Sequence, residues 1–527
     1  MSDVPSADPD AVRPELAELR TRIAATTDAG RPDAVARRRK TGQRTTRENI
    51  ADLVDDGTFV EYGALAVAAQ RQRHSLEDLQ RISPADGIVC GIGAVNGALF
   101  DAEHARTMVL AYDYTVFAGT QGGMGHKKLD RMLALAADWR VPVVLFAEGG
   151  GGRPNDIDMP TVAGLDTPTF LGFAALSGLV PSVGIASGRC FAGNAALLGC
   201  CSVIIATEDS SIGMGGPAMI EGGGLGTFKP EEVGPIAVQT KNGVVDVRVR
   251  DEAEGVAVAK KYLAYFQGPT KDWTAADQAT LRSALPDRRR RAYKIRPVVE
   301  TIADVGSVLE LRRDFGRSIV TVLARIEGRS VGIVANDPYH LGGAVDSDAA
   351  DKAARFFQLC DAFGLPIVSL CDTPGFMVGP PAETTALVRH VSRMFVAAAS
   401  LSVPFFTVVL RKGYGLGAQA MSGGHFHAPF FTISWPTGEF GGMNLEGAVR
   451  LGMRKELEAI EDPAAREQTF QGMVAMAYAR GKATNMASLL EIDAVIDPAE
   501  TRDWILRGLQ STSLSARTRS RRFIDAW

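Results

Sequence analysis

Two glycine-bearing bends carry the residue types in this 527-residue chain best suited to chemistry: Gly188-Arg-Cys-Phe-Ala-Gly-Asn194 and Arg411-Lys-Gly-Tyr-Gly-Leu-Gly-Ala418. Each follows a short apolar run of strand length. The first backbone N–H groups of a helix have no intrahelical acceptor and lie at the positive end of its dipole. Glycine lets that backbone come close to a ligand. A helix starting near Gly193 or Gly417 is therefore able to hold an anionic oxygen, in the manner of an oxyanion hole. Losing one donor of such a hole typically costs ~3–4 kcal/mol of transition-state stabilisation. Two such bends suit a reaction in which two oxygens, on two molecules, gain negative charge. The same glycines also suit close helix–strand packing, and residue types alone leave both readings open.

Other chemistries lack their signatures. There is no G-x-G-x-x-G or G-x-x-x-x-G-K-[ST] phosphate loop, so nothing points to NAD or ATP binding, and no G-x-S-x-G nucleophile elbow. His425 and His427 have no metal-ligand companion at helical spacing and read as surface or structural residues, so no metal site is expected. The six cysteines form no C-x-x-C pair and sit in apolar or glycine-rich surroundings. They read as small buried residues in a reducing compartment.

A net charge of −4 points to neither nucleic acid nor a membrane surface as partner. The basic runs Arg37–Lys40, Arg288–Arg291 and Arg517–Arg522 read as solvated element ends and linkers. The longest apolar stretch, Phe395–Leu410, is broken by Ser400, Ser402 and Pro404 and is too short to span a bilayer. Met1–Asp10 is polar and acidic rather than a secretory leader, so a cytoplasmic location is expected.

The elements that must position the bends occur twice. Leu129, Met132, Leu133, Ala136 and Trp139 form one helical stripe, followed by the strand-like run Val141–Phe146, Glu148 and four glycines. Ala353, Phe356, Phe357, Cys360 and Phe363 form another, followed by Pro366–Leu370 and the turn Asp372-Thr-Pro-Gly375. The runs Val180–Ile185 and Val403–Val409 then lead into the two bends, and Val203–Ala206 and Phe430–Ser434 lead to further glycines. Pro142 and Pro366 are 224 positions apart, Pro181 and Pro404 are 223 apart. Apolar strands alternating with helices imply parallel strands covered on both faces, so two homologous α/β domains are expected. The expected division is a tail at 1–30, a first domain at 31–270, a charged linker at 271–310 and a second domain at 311–527. Thr45-x-x-Glu48 reads as a capping box opening a helix through Leu53.

These segments resemble the carboxyltransferase β subunits of propionyl-CoA and related biotin-dependent acyl-CoA carboxylases, whose two halves are crotonase-like (ClpP/crotonase) domains in tandem. The two bends, Asp372-Thr-Pro-Gly-Phe376, Thr41–Glu48, Asp86-Gly-Ile-Val89 and Asp346–Arg355 carry the likeness, which covers roughly residues 35–510. The resemblance implies acyl-CoA as substrate on the first domain and biotin, on a separate carrier protein, at the second domain of a neighbouring subunit. A carboxyl group passes from carboxybiotin to the acyl α-carbon, with an oxyanion forming on each molecule. It implies that the amides of Ala192 and Gly193 hold the thioester oxygen and those of Leu416 and Gly417 the ureido oxygen of biotin. Gly150, Gly151, Gly152 and Arg153 match the loop lining the acyl-CoA site, and Gly375 and Phe376 a biotin-side turn. Relatives carry Gly-Gly at Ala192-Gly193, Gly-Ala at Leu416-Gly417, and often an acidic residue at Gln419, which makes Gln419 the substrate-selecting position.

The family's biotin-accepting Met-Lys pair is missing, and no ATP-grasp region is recognisable. The resemblance therefore implies a biotin carboxylase/biotin carrier α subunit as partner, and a homo-oligomer, a hexamer built from dimers. Two rival readings are a biotin-independent crotonase-type acyl-CoA hydratase, isomerase or decarboxylase, and a non-catalytic β-like subunit.

Overall fold

A computed structural model describes residues 13–159, 164–512 and 523–527. The chain forms two compact units. The first is built from residues up to Leu176 with Ser182–Ile236 and Arg248–Lys260; the second from Ser177–Pro181, Ala237–Val247 and Lys261 onward. The chain thus passes into the second unit at Lys261, and the charged stretch 271–310 is not a spacer. It contributes Leu281, Val298, Val299 and Ile302 from two short helices, and Tyr293 and Ile295 from the chain between them, to the second unit's core. Of the expected tail at 1–30, the described part carries the helix Pro14–Ala24, which buries no residue.

In the first unit the strands run in the order Val60–Tyr62, Ile88–Ala94, Arg106–Tyr112, Val143–Phe146, Ser182–Ala186, Val203–Thr207, ending at the short strand Val247–Val249. The pairs from Arg106–Tyr112 through Val203–Thr207 are parallel, with Met108 opposite Val143 and Val143 opposite Ser182. The first two pairs are antiparallel. A second, three-stranded parallel sheet joins Gly149–Gly150, Arg189–Phe191 and Ser211–Gly213.

The second unit repeats the plan: Leu309–Leu311, Ile319–Ile326, Arg329–Asn336, Ile367–Thr373, Phe405–Tyr414, Phe431–Ser434 and Ala494–Val495. The opening pairs are again antiparallel and the rest parallel. Here one ten-residue strand, Phe405–Tyr414, does the work of two: its early residues pair in the main sheet and Lys412–Tyr414 pair with Glu439–Gly441. The purely parallel sheet expected from the sequence thus gains an antiparallel lead-in in both units. The Ile319–Ile326 and Arg329–Asn336 pair closes through Glu327 and Gly328, both at positive φ, which is hairpin geometry.

Equivalent helices cover equivalent strands. Gly123–Trp139 buries Leu129, Met132, Leu133 and Ala136; Ser347–Phe363 buries Ala353, Phe356, Phe357 and Cys360. Trp139, expected on the buried stripe, is exposed, because it occupies the helix's last residue, beside the left-handed Arg140. Each buried leucine or phenylalanine stabilises the fold by about 1.5–3 kcal/mol. Both helices also send a lysine inward. Lys128 donates to the carbonyls of Ala85 (2.9 Å) and Ile88, and Lys352, 224 residues on, to Phe315 (3.0 Å) and Ile319 (2.7 Å). Burial pushes the Lys352 ammonium down to about 7. The capping box stands as expected: Thr45 caps the helix Thr46–Leu53 and Glu48 answers it.

Candidate active site

At the first bend the strand Arg189–Phe191 runs straight into the helix Ala192–Gly199, with Phe191 as its N-cap. Ala192 takes φ 50°, a left-handed conformation that costs a non-glycine residue roughly 1–2 kcal/mol. Its counterpart opening the helix Gly415–Met421 is Gly415, φ 58°. The backbone shape is thus kept in both units whether or not the residue favours it. By this equivalence Gly193 matches Leu416 and Asn194 matches Gly417, so the two expected amide pairs are staggered by one residue.

Positive φ recurs upstream as well: Phe117 and Ala118 (49° and 53°) match Leu341 and Gly342 (52° and 63°). Strained backbone of this kind persists where the surroundings enforce it, and it gathers at functional sites.

Two loops meet the first bend. A Cβ on Gly150 would stand 1.9 Å from the Phe191 carbonyl oxygen, and one on Gly119 2.4 Å from that of Glu148. These positions admit no side chain. Gly151 and Gly152 differ, since among the described residues nothing lies within 4 Å of the place a Cβ would occupy, which leaves that face open to a ligand. The loop is tied down by Gln121, whose N–H donates to Gly151 O (2.8 Å) and whose carbonyl accepts from Arg153 N (2.8 Å).

The Arg153 guanidinium turns inward. It pairs with buried Asp86 at 2.5 Å and Asp156 at 3.5 Å, donates to Thr120 O (3.2 Å), and lies 4.7 Å over the Phe117 ring. Arg153 therefore holds the loop 149–152 in place, and its charge is spent inside the protein. Burial keeps the Asp86 carboxyl above its usual range despite this arginine.

Behind the loop, Glu148 accepts a bidentate pair from Arg38 (2.7 and 2.5 Å). Burial pushes its carboxyl up to about 7. Arg38 lies in a basic run that reads as solvated surface in the sequence, yet it is 5% exposed. It alternates with exposed arginines on a short helix, which hides it from a charge count. Gln43, from the Thr41–Glu48 motif, backs the bend through Asp209 (3.1 Å) and Ser187 (3.4 Å).

In the second unit the corresponding carboxylate is Asp372, held by Arg411 (3.0 Å) and by the Lys412 backbone N–H (3.1 Å). A Cβ on Gly417 would lie 2.6 Å from Gly375 C and 2.9 Å from Phe376 N, so the helix start rests directly on that turn. The Phe376 ring meets Phe395 edge-on at 6.2 Å. The structure therefore joins Leu416 and Gly417 with Gly375 and Phe376. Leu416 is exposed. Gln419 lines a neighbouring cleft of about 470 Å³ with Phe426, Phe440, Leu445 and Met486. No cluster of metal-binding side chains occurs among the described residues, and no helix among them is long and apolar enough to cross a membrane. Two features the sequence did not signal are Asn194 and Gln121, which hold the first bend's loops from inside.

Comparison with known proteins decides the family. The Carboxyl transferase domain matches residues 37–524. The chain belongs to the carboxyl transferase family. It is 32% identical to the methylmalonyl-CoA carboxyltransferase 12S subunit of Propionibacterium freudenreichii subsp. shermanii, over 96% of this chain and 95% of that one. The biotin-dependent long chain acyl-coenzyme A carboxylase beta4 subunit of Mycobacterium tuberculosis is also 32% identical, over 93% and 92%.

Among solved structures, a single-chain, multi-domain long-chain acyl-CoA carboxylase superposes with TM-score 0.90 and 58% identity over 94% of this chain. The chain spans 49% of that enzyme's length. The transcarboxylase 12S hexamer with methylmalonyl-coenzyme A and methylmalonic acid bound superposes at 0.84, with 28% identity and 97% coverage of both chains. The tandem crotonase-like fold and an enzyme of the acyl-CoA carboxylase carboxyltransferase kind, both expected from the motifs, stand.

Proposed function

We propose that this chain moves a carboxyl group from carboxybiotin to the α-carbon of a long-chain acyl-CoA, using one helix-opening bend for each substrate. The observation that carries this reading is the duplicated bend itself, kept at positive φ in both units although alanine stands in one and glycine in the other. When bound, carboxybiotin supplies the activated carboxyl group. The chain's own part is electrostatic. The N–H groups of Ala192 and Gly193 hold the thioester oxygen, which favours loss of the α-proton, and those of Leu416 and Gly417 hold the ureido oxygen. Such donors need no reorganisation as charge develops, and a buried setting strengthens them. The Gly417–Gly375 contact sets the turn at Phe376 directly against the second helix start, where this reading places the biotin ring.

Two observations support a long acyl chain. The 58% identical relative is a long-chain enzyme. In this chain the arm after Ser211–Gly213 carries the exposed side chains Met214, Met219, Leu225 and Phe228. Gly213 and Gly216 seat that arm against the Phe191 ring at the first bend. An acyl tail leaving the bend would meet those side chains and gain about 0.8 kcal/mol per buried methylene.

The partner in this reading is a biotin carboxylase/biotin carrier α subunit, and the assembly is a cytoplasmic hexamer built from dimers. The single-chain relative shows that in another protein the corresponding parts share one polypeptide. The test is fixation of labelled bicarbonate onto a panel of acyl-CoAs with the partner present, with and without avidin. Avidin-sensitive labelling of palmitoyl-CoA supports the reading, whereas avidin-insensitive turnover of the same thioester refutes it.

A further inference from the structure

We propose that Asn194 is the positioning residue of the first bend, setting the distance between the Ala192–Gly193 amides and the loop 149–152 that faces the thioester. This rests on reading the first bend as the thioester-oxygen site. Asn194 is the third residue of the helix and 0% exposed. Its carboxamide nitrogen donates to Gly119 O at 3.1 Å and to Glu148 O at 2.8 Å. Those two carbonyls belong to the two loops that converge on the helix start. The loops interlock backbone to backbone, since a Cβ on Gly149 would stand 2.3 Å from Ala118 O and one on Gly119 2.4 Å from Glu148 O. One side chain thus ties the helix to both loops at their seam.

The need for such a tie follows from the strain around it. Ala118 and Ala192 are both left-handed without being glycine, and that conformation relaxes unless its neighbours hold it. The second unit meets the same need differently. There the residue equivalent to Asn194 is Gly417, which lies directly against Gly375 with no side chain between. A carboxamide offers two N–H donors on one atom, which neither alanine nor a carboxylate can supply. The Asn194 Oδ1 atom has no hydrogen-bond partner among the described residues, so the side chain is committed through its nitrogen alone.

The experiment is calorimetric titration of the full chain with palmitoyl-CoA and with S-hexadecyl-CoA, a thioether lacking the thioester oxygen. The wild-type protein is expected to prefer the thioester. Asn194→Ala and Asn194→Asp are expected to reduce that preference about tenfold, the worth of one hydrogen bond, while thioether affinity changes less than about threefold. A purely structural role would weaken both ligands together, and that result, or an unchanged preference, overturns the proposal. Absence of any preference in the wild type sinks the thioester reading of the bend itself. Asn194→Asp keeps the side chain's shape and decides the question if Asn194→Ala is insoluble.

Discussion

Replacing Gly150 with alanine puts a methyl carbon 1.9 Å from the carbonyl oxygen of Phe191. Real Cβ atoms essentially never approach closer than 3.0 Å, so the two backbones must separate by at least 1.1 Å, the difference of these values. Gly150 also sits at φ 146°, which an alanine adopts only under strain. Overpacking of this kind costs about 1–3 kcal/mol and the strained φ a further 1–3 kcal/mol or so, an appreciable part of a domain's roughly 5–15 kcal/mol.

The displaced group is the residue preceding Ala192, so the movement passes straight to the amides proposed above to hold the thioester oxygen. A misplacement of about 1 Å costs on the order of 100-fold in turnover. Urea unfolding and partner-supported bicarbonate fixation measure the two effects. Gly199→Ala is the control, because it lies at the end of the same helix with nothing within 4 Å of its Cβ position. Gly150→Ala with turnover within about threefold of wild type and an unmoved urea midpoint would show that the close approach does not set the bend.

Three further outcomes are expected. Arg153→Met strands the Asp86 carboxylate in the interior and should lower stability by about 3–5 kcal/mol, read by urea unfolding; a loss under about 1 kcal/mol would mean Asp86 finds another partner. Lys352 has a folded pKa of about 7 against an ordinary 10.5, so between those values the unfolded chain holds the extra proton and stability rises with pH; the cost is fully present below about 7. Lys352→Met should flatten that rise, worth up to about 3 kcal/mol between pH 7 and roughly 9.5, and an unchanged slope would place the dependence elsewhere. Met219→Glu with Leu225→Glu should lower kcat/KM for palmitoyl-CoA about 30-fold while propionyl-CoA changes less than about threefold, and equal losses for both would remove the acyl tail from that arm.

Much of the scaffold is legible in the residues because buried parallel strands announce themselves as unbroken apolar runs. Val141–Phe146 and Pro366–Leu370 landed on Val143–Phe146 and Ile367–Thr373. The equal offsets of the proline pairs carried the duplication. What stayed hidden was of two kinds. The antiparallel lead-in strands were missed because Ile88–Ala94 is diluted by two glycines, and Ile319–Ile326 and Arg329–Asn336 are joined by only two residues. The supports of the site were missed because each is an ordinary polar residue until its neighbours are known. Arg38 sits among other arginines, Gln121 stands beside two glycines, and Asn194 closes a motif whose chemistry is signalled by its glycines. Pairings such as Arg38 with Glu148 span 110 positions, a separation that no local pattern encodes.

The two units differ in how their bends are attached to the main sheet. In the second, the strand Phe405–Tyr414 runs without a break from the sheet to the residue before the bend. In the first, the same path is cut at Ser187–Gly188, between Ser182–Ala186 and Arg189–Phe191, with Gly188 at φ 68°. A continuous strand acts as a strut and transmits any shift at its tip into the whole sheet, so its tip tolerates little change. A jointed one lets its tip drift on a local pivot. Under the proposed assignment, the jointed bend is the one able to accommodate acyl chains of different length, and the strutted bend the one that keeps a fixed shape for the ring of biotin.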